Sequence, residues 1–205
     1  MSDPREVIAT VLLALAAVAT AWSGYQATRW NGEQTKASSR TNAIRIEAAR
    51  AQGLAEAQKE VDVATFIQWV DAYAHRETEL TRFYARRFRV EFEPAFAAWL
   101  ATKPLTNADA PLTPFVMPQY ELAAEREAAR LDAEAEVSAA AVRRDVQRAS
   151  NYILGVVLFS VALFFAGVST KLATPRLRSL TLGVGCVVFL GTVLWLATQP
   201  VSVAV

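Results

Sequence analysis

The chain has 205 residues, of which 53% are hydrophobic, and its formal net charge is +1 at pH 7. A net charge so close to zero gives no general attraction to nucleic acid, and we expect no nucleic-acid partner. The single cysteine, Cys186, excludes an intramolecular disulfide and has no accompanying set of zinc ligands.

The first predicted element is an apolar run, residues 7–27, near the start of the chain. About 20 apolar residues are enough to cross a bilayer as a helix, so we predict transmembrane helix 1 over residues 5–28. A signal peptide is the alternative interpretation. The six residues ahead of the run hold one Arg and two acids, which favours a retained span.

The boundary of this run carries the most distinctive residues of the chain. They are Trp22, Gly24, Tyr25, Gln26 and Trp30. Ala16, Thr20 and Gly24 share one helix face, a pattern that lets membrane helices approach closely, and the aromatic rings suit a membrane interface. We interpret the stretch as a packing and anchoring motif, with a gate or ligand site at a membrane mouth as the alternative.

The middle of the chain, residues 29–150, is predicted to be one extramembrane helical domain. Good helix formers dominate it, and no proline occurs between Arg5 and Glu93. Weak points near Gly32 and Ser38 are places where the helix is expected to bend or break. Apolar residues recur in steps of three and four, as on a helix face packed against a partner: Val63, Phe66, Val70, Tyr73, Leu80 and Tyr84.

Four prolines within residues 102–119 exclude a continuous helix there, so we predict a loop at the tip of the domain. Beyond it a stripe of small and apolar residues indicates a return helix: Ala124, Ala128, Leu131, Ala135, Ser138, Val142, Val146, Ala149 and Ile153. The two long segments are predicted to pair as an antiparallel, coiled-coil-like stalk. The step from Val142 to Val146 is four residues where a strict heptad has three, which predicts a local stutter.

Aromatic residues at helical spacing surround the predicted tip. Phe92, Phe96 and Trp99, together with Phe115 of the loop, are candidates for a partner surface. Such a stripe is more often the core of a domain, and that is the interpretation we favour for the aromatic rings. His75, with acidic neighbours on its helix face, is a weak candidate for a metal site, and a surface histidine is the simpler interpretation.

Two further apolar runs, residues 152–168 and 180–197, hold no charge. We predict transmembrane helices 2 and 3 over residues 151–170 and 179–198. Their connector has three basic residues and no acid, so the positive-inside rule places it in the cytoplasm and the helical domain outside. Six Arg or Lys residues flank the spans on the domain side and argue the other way. The lack of ionisable residues in the runs argues against a proton-coupled pump.

Three segments carry a resemblance to a known family. They read AWSGYQA at 21–27 followed by RW and GEQ, AWLAT at 98–102 followed by AP, PF and MP, and FAGVST at 165–170. In these the chain resembles a family of uncharacterised bacterial membrane proteins with one span, a helical domain and a closing two-span hairpin. The resemblance implies an all-α fold and a location in the bacterial inner membrane. It carries over no functional residues.

From these features we expect a non-enzymatic, multi-pass membrane protein that scaffolds or senses through its helical stalk. Its partners are the lipid bilayer and a second copy or another membrane protein, and we expect no cofactor, no metal and no catalytic residue. A small oligomeric channel or permeability factor is the alternative, with hydroxyl- and glycine-bearing spans around a pore. A metal-dependent enzyme that uses Asp71, His75 and Glu79 is a third hypothesis.

Overall fold

The computed structural model describes residues 4–202. Within them all the regular structure is helical and no strand occurs, so the all-α prediction is confirmed. The elements are α1 (Pro4–Ala74), α2 (Thr78–Ala85), α3 (Glu93–Ala101), a short 3-10 helix (Pro114–Val116), α4 (Ala123–Ser169) and α5 (Pro175–Ala197).

Three of these helices, α1, α4 and α5, are long and apolar enough to cross a membrane. They contain the three apolar runs that the sequence predicts. The last of them starts at Pro175, earlier than the predicted residue 179, because proline suits the first turn of a helix, where its missing N–H is not needed. Three helices in the described part of the chain therefore have a length and composition compatible with crossing a membrane.

Helix α1 is continuous over 71 residues. The breaks predicted near Gly32 and Ser38 do not occur, and the neighbouring Ser39 hydroxyl donates to the carbonyl of Thr35 without opening the helix. The helix ends where Arg76 adopts a left-handed φ of 62°. The N–H of Glu77 then binds the carbonyl of Ala72 at 2.9 Å, the contact that closes a Schellman motif.

The chain divides into two compact units, and the boundary between them falls within each of the two long helices, α1 and α4. The first unit is Met1–Arg40 with Val137–Val205, and the second is Thr41–Glu136. The predicted helical domain, residues 29–150, is longer at both ends than the second unit. Residues 29–40 and 137–150 belong with the three apolar helices.

In the first unit the apolar helices pack through small residues. Ala16 and Ala166 are fully buried, and Gly185 lies where α5 approaches α4 closely. A Cβ added at Gly185 would lie 3.3 Å from the Cβ of Phe165 and 3.4 Å from the carbonyl oxygen of Ala162. Close helix contact in this unit therefore depends on Gly185.

The close approach predicted at Gly24 is not present within the chain. A Cβ added there meets no atom within 4 Å. The buried face of α1 passes instead through Ser23 and Ala27. The prediction that Gly24 packs on the hairpin of α4 and α5 is therefore wrong. That Gly24 packs on a second copy of the chain stays a prediction.

In the second unit α1 and α4 each bury one face. On α1 the buried residues recur in steps of three, four or seven: Thr41, Ile44, Ala48, Ala55, Asp62, Phe66 and Trp69. Ile44 packs in one cluster with Leu131, and Ala55, further along α1, packs in another with Leu122, which precedes α4. Because the order of contacts is reversed, the two segments run in opposite directions.

The return stripe is confirmed at Ala128, Leu131 and Ala135, which are buried, but the predicted stutter is absent. Val146 is exposed, and the inward position is Asp145, three residues after Val142. The side chain of Asp145 is only 14% exposed and forms an ion pair with Arg148 at 3.1 Å.

Candidate functional site

The predicted motif at the end of the first apolar run divides between two faces of α1. Trp22 and Tyr25 are half exposed, with ring centroids 5.9 Å apart. Gly24 lies beside open space. Gln26 and Trp30 are buried. The structure therefore separates two outward aromatic residues from two inward residues that carry polar groups.

Gln26 connects the first helix to the segment that follows α5. Its side chain is fully buried, and its amide oxygen accepts a hydrogen bond from the backbone N–H of Ser202 at 2.9 Å. This contact defines which end of the amide is oxygen and which is nitrogen. The nitrogen, Nε2, donates to no group in the described part of the chain.

Further hydrogen bonds hold the same segment on α4. Asn151 donates through Nδ2 to the Oε1 atom of Gln199 at 2.9 Å, and the Tyr152 hydroxyl donates to the carbonyl of Pro200 at 3.2 Å. Gln147 donates in turn to Asn151 at 2.9 Å. Sequence analysis did not identify Asn151 or Gln199, although both amides stand at an apolar boundary where they need partners.

Several donors at this end of the first apolar run have no acceptor among residues 4–202. We call them the donor row: the Ser23 hydroxyl, Nε2 of Gln26, Nε and Nη2 of Arg29, and Nε1 of Trp30. The Trp30 ring packs with Tyr152, and the guanidinium of Arg148 lies 4.5 Å from its centroid. An unsatisfied buried donor costs about 1–3 kcal/mol, so the donor row favours any occupant that supplies acceptors.

The aromatic residues predicted at the tip come together in the second unit. Phe92 and Trp99 are buried in what we call the tip cluster, with Phe66, Trp69 and Phe88. Phe96 and Phe115 are partly buried at its edge. Trp99 also donates from Nε1 to the carbonyl of Pro111 at 2.7 Å, which holds the proline-rich loop against α3. Of the four candidate partner residues, Phe96 and Phe115 retain accessible surface.

Next to the tip cluster lies a buried charged network that sequence analysis did not single out. The fully buried Asp62 accepts hydrogen bonds through Oδ2 from Arg89 at 2.9 Å and from the Tyr120 hydroxyl at 3.1 Å. Arg89 also binds Glu91, which accepts from the backbone N–H of Ala123 at the start of α4. The feature of the sequence that could have identified Asp62 is its spacing. Asp62 follows the buried Ala55 by seven residues and so lies on the same face of α1.

Burial dominates the electrostatics of this network. It raises the pKa of Asp62 above the ordinary value of 3.8, even though hydrogen bonding to Tyr120 and the charge of Arg89 act in the opposite direction. Burial and the nearby Asp62 carboxylate also raise the pKa of Tyr120. The second carboxylate oxygen of Asp62, Oδ1, has no hydrogen-bond partner within residues 4–202, consistent with the dominant cost of desolvation.

The candidate metal residues lie at the surface. His75 Nδ1 lies 3.5 Å from the Asp71 carboxylate, and both side chains are about two-thirds exposed. Hydrogen bonding to the backbone carbonyl of Asp71, followed by the Asp71 charge, raises the pKa of His75. Within residues 4–202 no group of three potential metal ligands occurs.

Comparisons of the chain with protein-family models, curated proteins and solved structures found no match. What the protein does is therefore inferred from its own residues. Two arrangements of residues are the candidates for a functional site: the donor row at the end of the first apolar run, and the charged network beside the tip cluster.

Proposed function

We propose that this chain is a non-enzymatic, multi-pass protein of a bacterial inner membrane that scaffolds or senses through its helical unit, Thr41–Glu136. The observation that carries the proposal is the continuity of two helices. Both α1 and α4 run without interruption from an apolar, membrane-compatible stretch into the helical unit. In this proposal the helical unit is a coiled-coil-like stalk.

Continuity matters because an α-helix is stiff along its axis. Each backbone N–H binds the carbonyl four residues earlier, so a helix moves as a unit over many turns. A partner bound to the helical unit therefore acts on two membrane segments directly through the backbone. No lid, hinge or catalytic group is needed for such a role.

The outward surface of the apolar helices supports a bilayer around them. Large apolar side chains there are half or more exposed within the chain: Val18, Trp22, Leu15, Phe164, Val187 and Leu194. A soluble monomer rarely exposes an apolar surface of this extent. Lipid covers such a surface without cost, and Trp22 and Tyr25 suit the headgroup boundary.

Hydroxyl groups in the apolar helices make the channel alternative less favourable. Thr20 donates to the carbonyl of Ala16 at 2.7 Å, Ser160 to Val156 at 2.8 Å and Thr192 to Val188 at 2.7 Å. Each hydroxyl is satisfied by its own helix, as is common for Ser and Thr in membrane helices. These groups do not require a water-filled path, so we favour a scaffold or sensor over a small oligomeric channel.

Membrane topology is tested with reporters. The proposal places the connector between α4 and α5 in the cytoplasm, because Lys171, Arg176 and Arg178 stand there without an acid. It places the helical unit and the C-terminus outside. A cytoplasm-only reporter fused to the C-terminus is expected to be silent, and the same reporter after Thr170 is expected to be active. Activity of the C-terminal fusion would reverse the orientation.

The scaffold or sensor role is tested by site-specific crosslinking in cells. A photoreactive residue at Phe96 or Phe115 is expected to crosslink to one discrete protein, since both are partly buried at the edge of the tip cluster and Val116, next to Phe115 in the chain, is exposed. The same residue at Leu54, an exposed site on α1, is the control. Absence of crosslinks from both tip positions, together with steady single-channel currents from purified protein in a planar bilayer, would replace this proposal with the channel.

A further inference from the structure

We propose that the donor row, with the apolar groove beside it, binds an anionic phospholipid; this rests on the membrane location proposed above. Two separate features point to such a ligand. One is the set of buried donors without acceptors among residues 4–202, and the other is a groove of about 390 Å³ that shares Ser23 with them. Both lie within the first unit.

The donor row has the extent of a lipid headgroup region. Ser23, Gln26 and Trp30 occur at i, i+3 and i+7, so they share one face of α1. Seven residues advance the helix by roughly 10 Å. One water molecule or one small anion cannot reach donors spread over that distance. The phosphate and the two ester groups of a phospholipid present acceptors at successive depths.

The charge at this site selects for an anion. Arg29 contributes two buried nitrogens for which the residues that the structure describes supply no acceptor. Arg148 lies over the Trp30 ring, and its own carboxylate contact is Asp145 at 3.1 Å. A headgroup with a net negative charge therefore gains a charge-assisted hydrogen bond at Arg29. A zwitterionic headgroup brings its own cation close to two arginines.

The groove supplies the place for an acyl chain. It is bounded near the donor row by Trp22, Ser23 and Tyr152. Apolar residues of α1, α4 and α5 continue it along the helices: Leu15, Val18, Ala19, Phe159, Phe189 and Val193. Ser23 belongs to both the donor row and the groove. A molecule with acceptors at one end and a hydrocarbon chain at the other matches both features, whereas free phosphate leaves the groove unused.

The headgroup contact is tested with Arg29→Gln and the exposed Arg143→Gln as its matched control. Each protein is purified in mild detergent, and binding of phosphatidylglycerol is measured by native mass spectrometry. We expect Arg29→Gln to bind about tenfold more weakly than the wild type, as for loss of a hydrogen bond to a charged group. Arg143→Gln is expected to bind like the wild type. Equal binding by both variants would overturn the headgroup assignment.

The acyl-chain contact is tested independently with Ala19→Phe, which puts a ring into the groove. Ala14→Phe places the same ring on the exposed surface of the same helix. We expect only Ala19→Phe to reduce lipid binding, while both variants stay folded by circular dichroism. If neither variant reduces binding, or both do so equally, the groove does not hold the lipid.

Three probes applied to the wild-type protein distinguish binding of a lipid phosphate from binding of free phosphate. Phosphatidylglycerol is expected to raise the melting temperature more than phosphatidylcholine, and inorganic phosphate is expected to have no effect. A shift with inorganic phosphate as large as with the lipid would overturn the proposal in favour of a free-anion site. Carbonate extraction of membranes tests location separately: a protein that stays in the membrane but binds no anionic lipid contradicts this inference alone.

Discussion

The carboxylate of Asp62 and the guanidinium of Arg89 form an ion pair at 2.9 Å inside the second unit, 27 residues apart in the chain. Arg89 binds Glu91 as well, and Glu91 accepts the backbone N–H of Ala123. One buried carboxylate therefore connects α1 to the segment before α3 and, through it, to the first residue of α4.

Removal of the Asp62 carboxylate leaves Arg89 without its buried partner. Because Arg89 still pairs with Glu91, Asp62→Ala is expected to lower the free energy of unfolding by about 1–3 kcal/mol, the cost of leaving the Tyr120 and Arg89 donors without this acceptor. Glu60→Ala, two residues away at an exposed site, is expected to change it by less than about 0.5 kcal/mol. Denaturation in detergent followed by circular dichroism measures both. Similar values for the two variants would show that the network adds little stability.

The same carboxylate predicts a dependence of stability on pH. Burial raises the pKa of Asp62 in the folded state above 3.8. A group whose pKa is higher when folded stabilises the fold fully below its ordinary value, and this contribution is lost as the pH rises through the raised pKa. Relative to Asp62→Asn, the wild type is expected to lose stability as the pH rises from about 4 through the raised pKa. Melting temperatures of both proteins across this interval measure the effect; parallel profiles would contradict it.

The small size of Ala135 is expected to be necessary for the packing of α1 against α4. Ala135 is buried in a cluster with Ile44 and Leu131, where α1 and α4 meet. Ala135→Leu adds bulk to this contact, and overpacking costs about 1–3 kcal/mol. Ala133→Leu makes the same change at an exposed position and is expected to be neutral. Thermal unfolding compares them, and equal melting temperatures would place the contact on another face.

The Trp99 hydrogen bond predicts how firmly the proline-rich loop is held. Trp99→Phe keeps an aromatic ring but removes the donor to Pro111, at an expected cost of about 0.5–1.5 kcal/mol. We expect faster proteolysis within residues 102–119 in this variant. Trp22→Phe, at an exposed ring in the first unit, is the control. Unchanged cleavage in Trp99→Phe would mean that the tip cluster alone holds the loop.

Two glycines of the apolar helices are expected to respond differently to leucine. Gly185→Leu forces bulk between α4 and α5 and is expected to lower the melting temperature. A Cβ at Gly24 meets no described atom within 4 Å, so the melting temperature of Gly24→Leu is expected to stay the same. If a second copy packs on that face, Gly24→Leu also reduces the oligomer size in mild detergent. An unchanged size would leave Gly24 facing lipid.

On α1, apolar spacing predicted the buried Phe66 but was wrong for Val70 and Tyr73, which are exposed. On α4 it predicted the buried face of the second unit where side chain and position agree. Leu131 and Ala135 are small or apolar and are buried. The prediction failed where a charged residue takes an inward position. Val146 was assigned to the stripe because it is apolar, yet the inward residue is Asp145, whose charge is paired with Arg148 within the same helix. A hydrophobic pattern alone assigns such a residue to the surface.

Hydrophobic patterns predict even less of the candidate sites, where polar residues make the contacts. Asp62 lies seven residues after Ala55 and four before Phe66, so the three share one helix face, but the apolar pattern selected the neighbouring Val63 instead. Its partner Arg89 was not predictable from spacing, because the contact depends on the turns between α1 and α3. Likewise the bond between Gln26 and Ser202 joins residues 176 positions apart. Local patterns predict helices and faces, whereas long-range polar contacts follow from how the helices are placed.

The spacing along the buried face of α1, from Thr41 to Asp62, also determines which lengths of the helical unit are compatible with folding. Each residue turns an α-helix by about 100°, so excision of one residue swings the following buried face toward solvent. Excision of seven residues brings that face back to within about 20°. The helical pair can therefore be shortened or extended only by lengths such as seven, eleven or eighteen residues, which return the face to within about 20°, taken from α1 and α4 together. This makes its reach a quantity with discrete values.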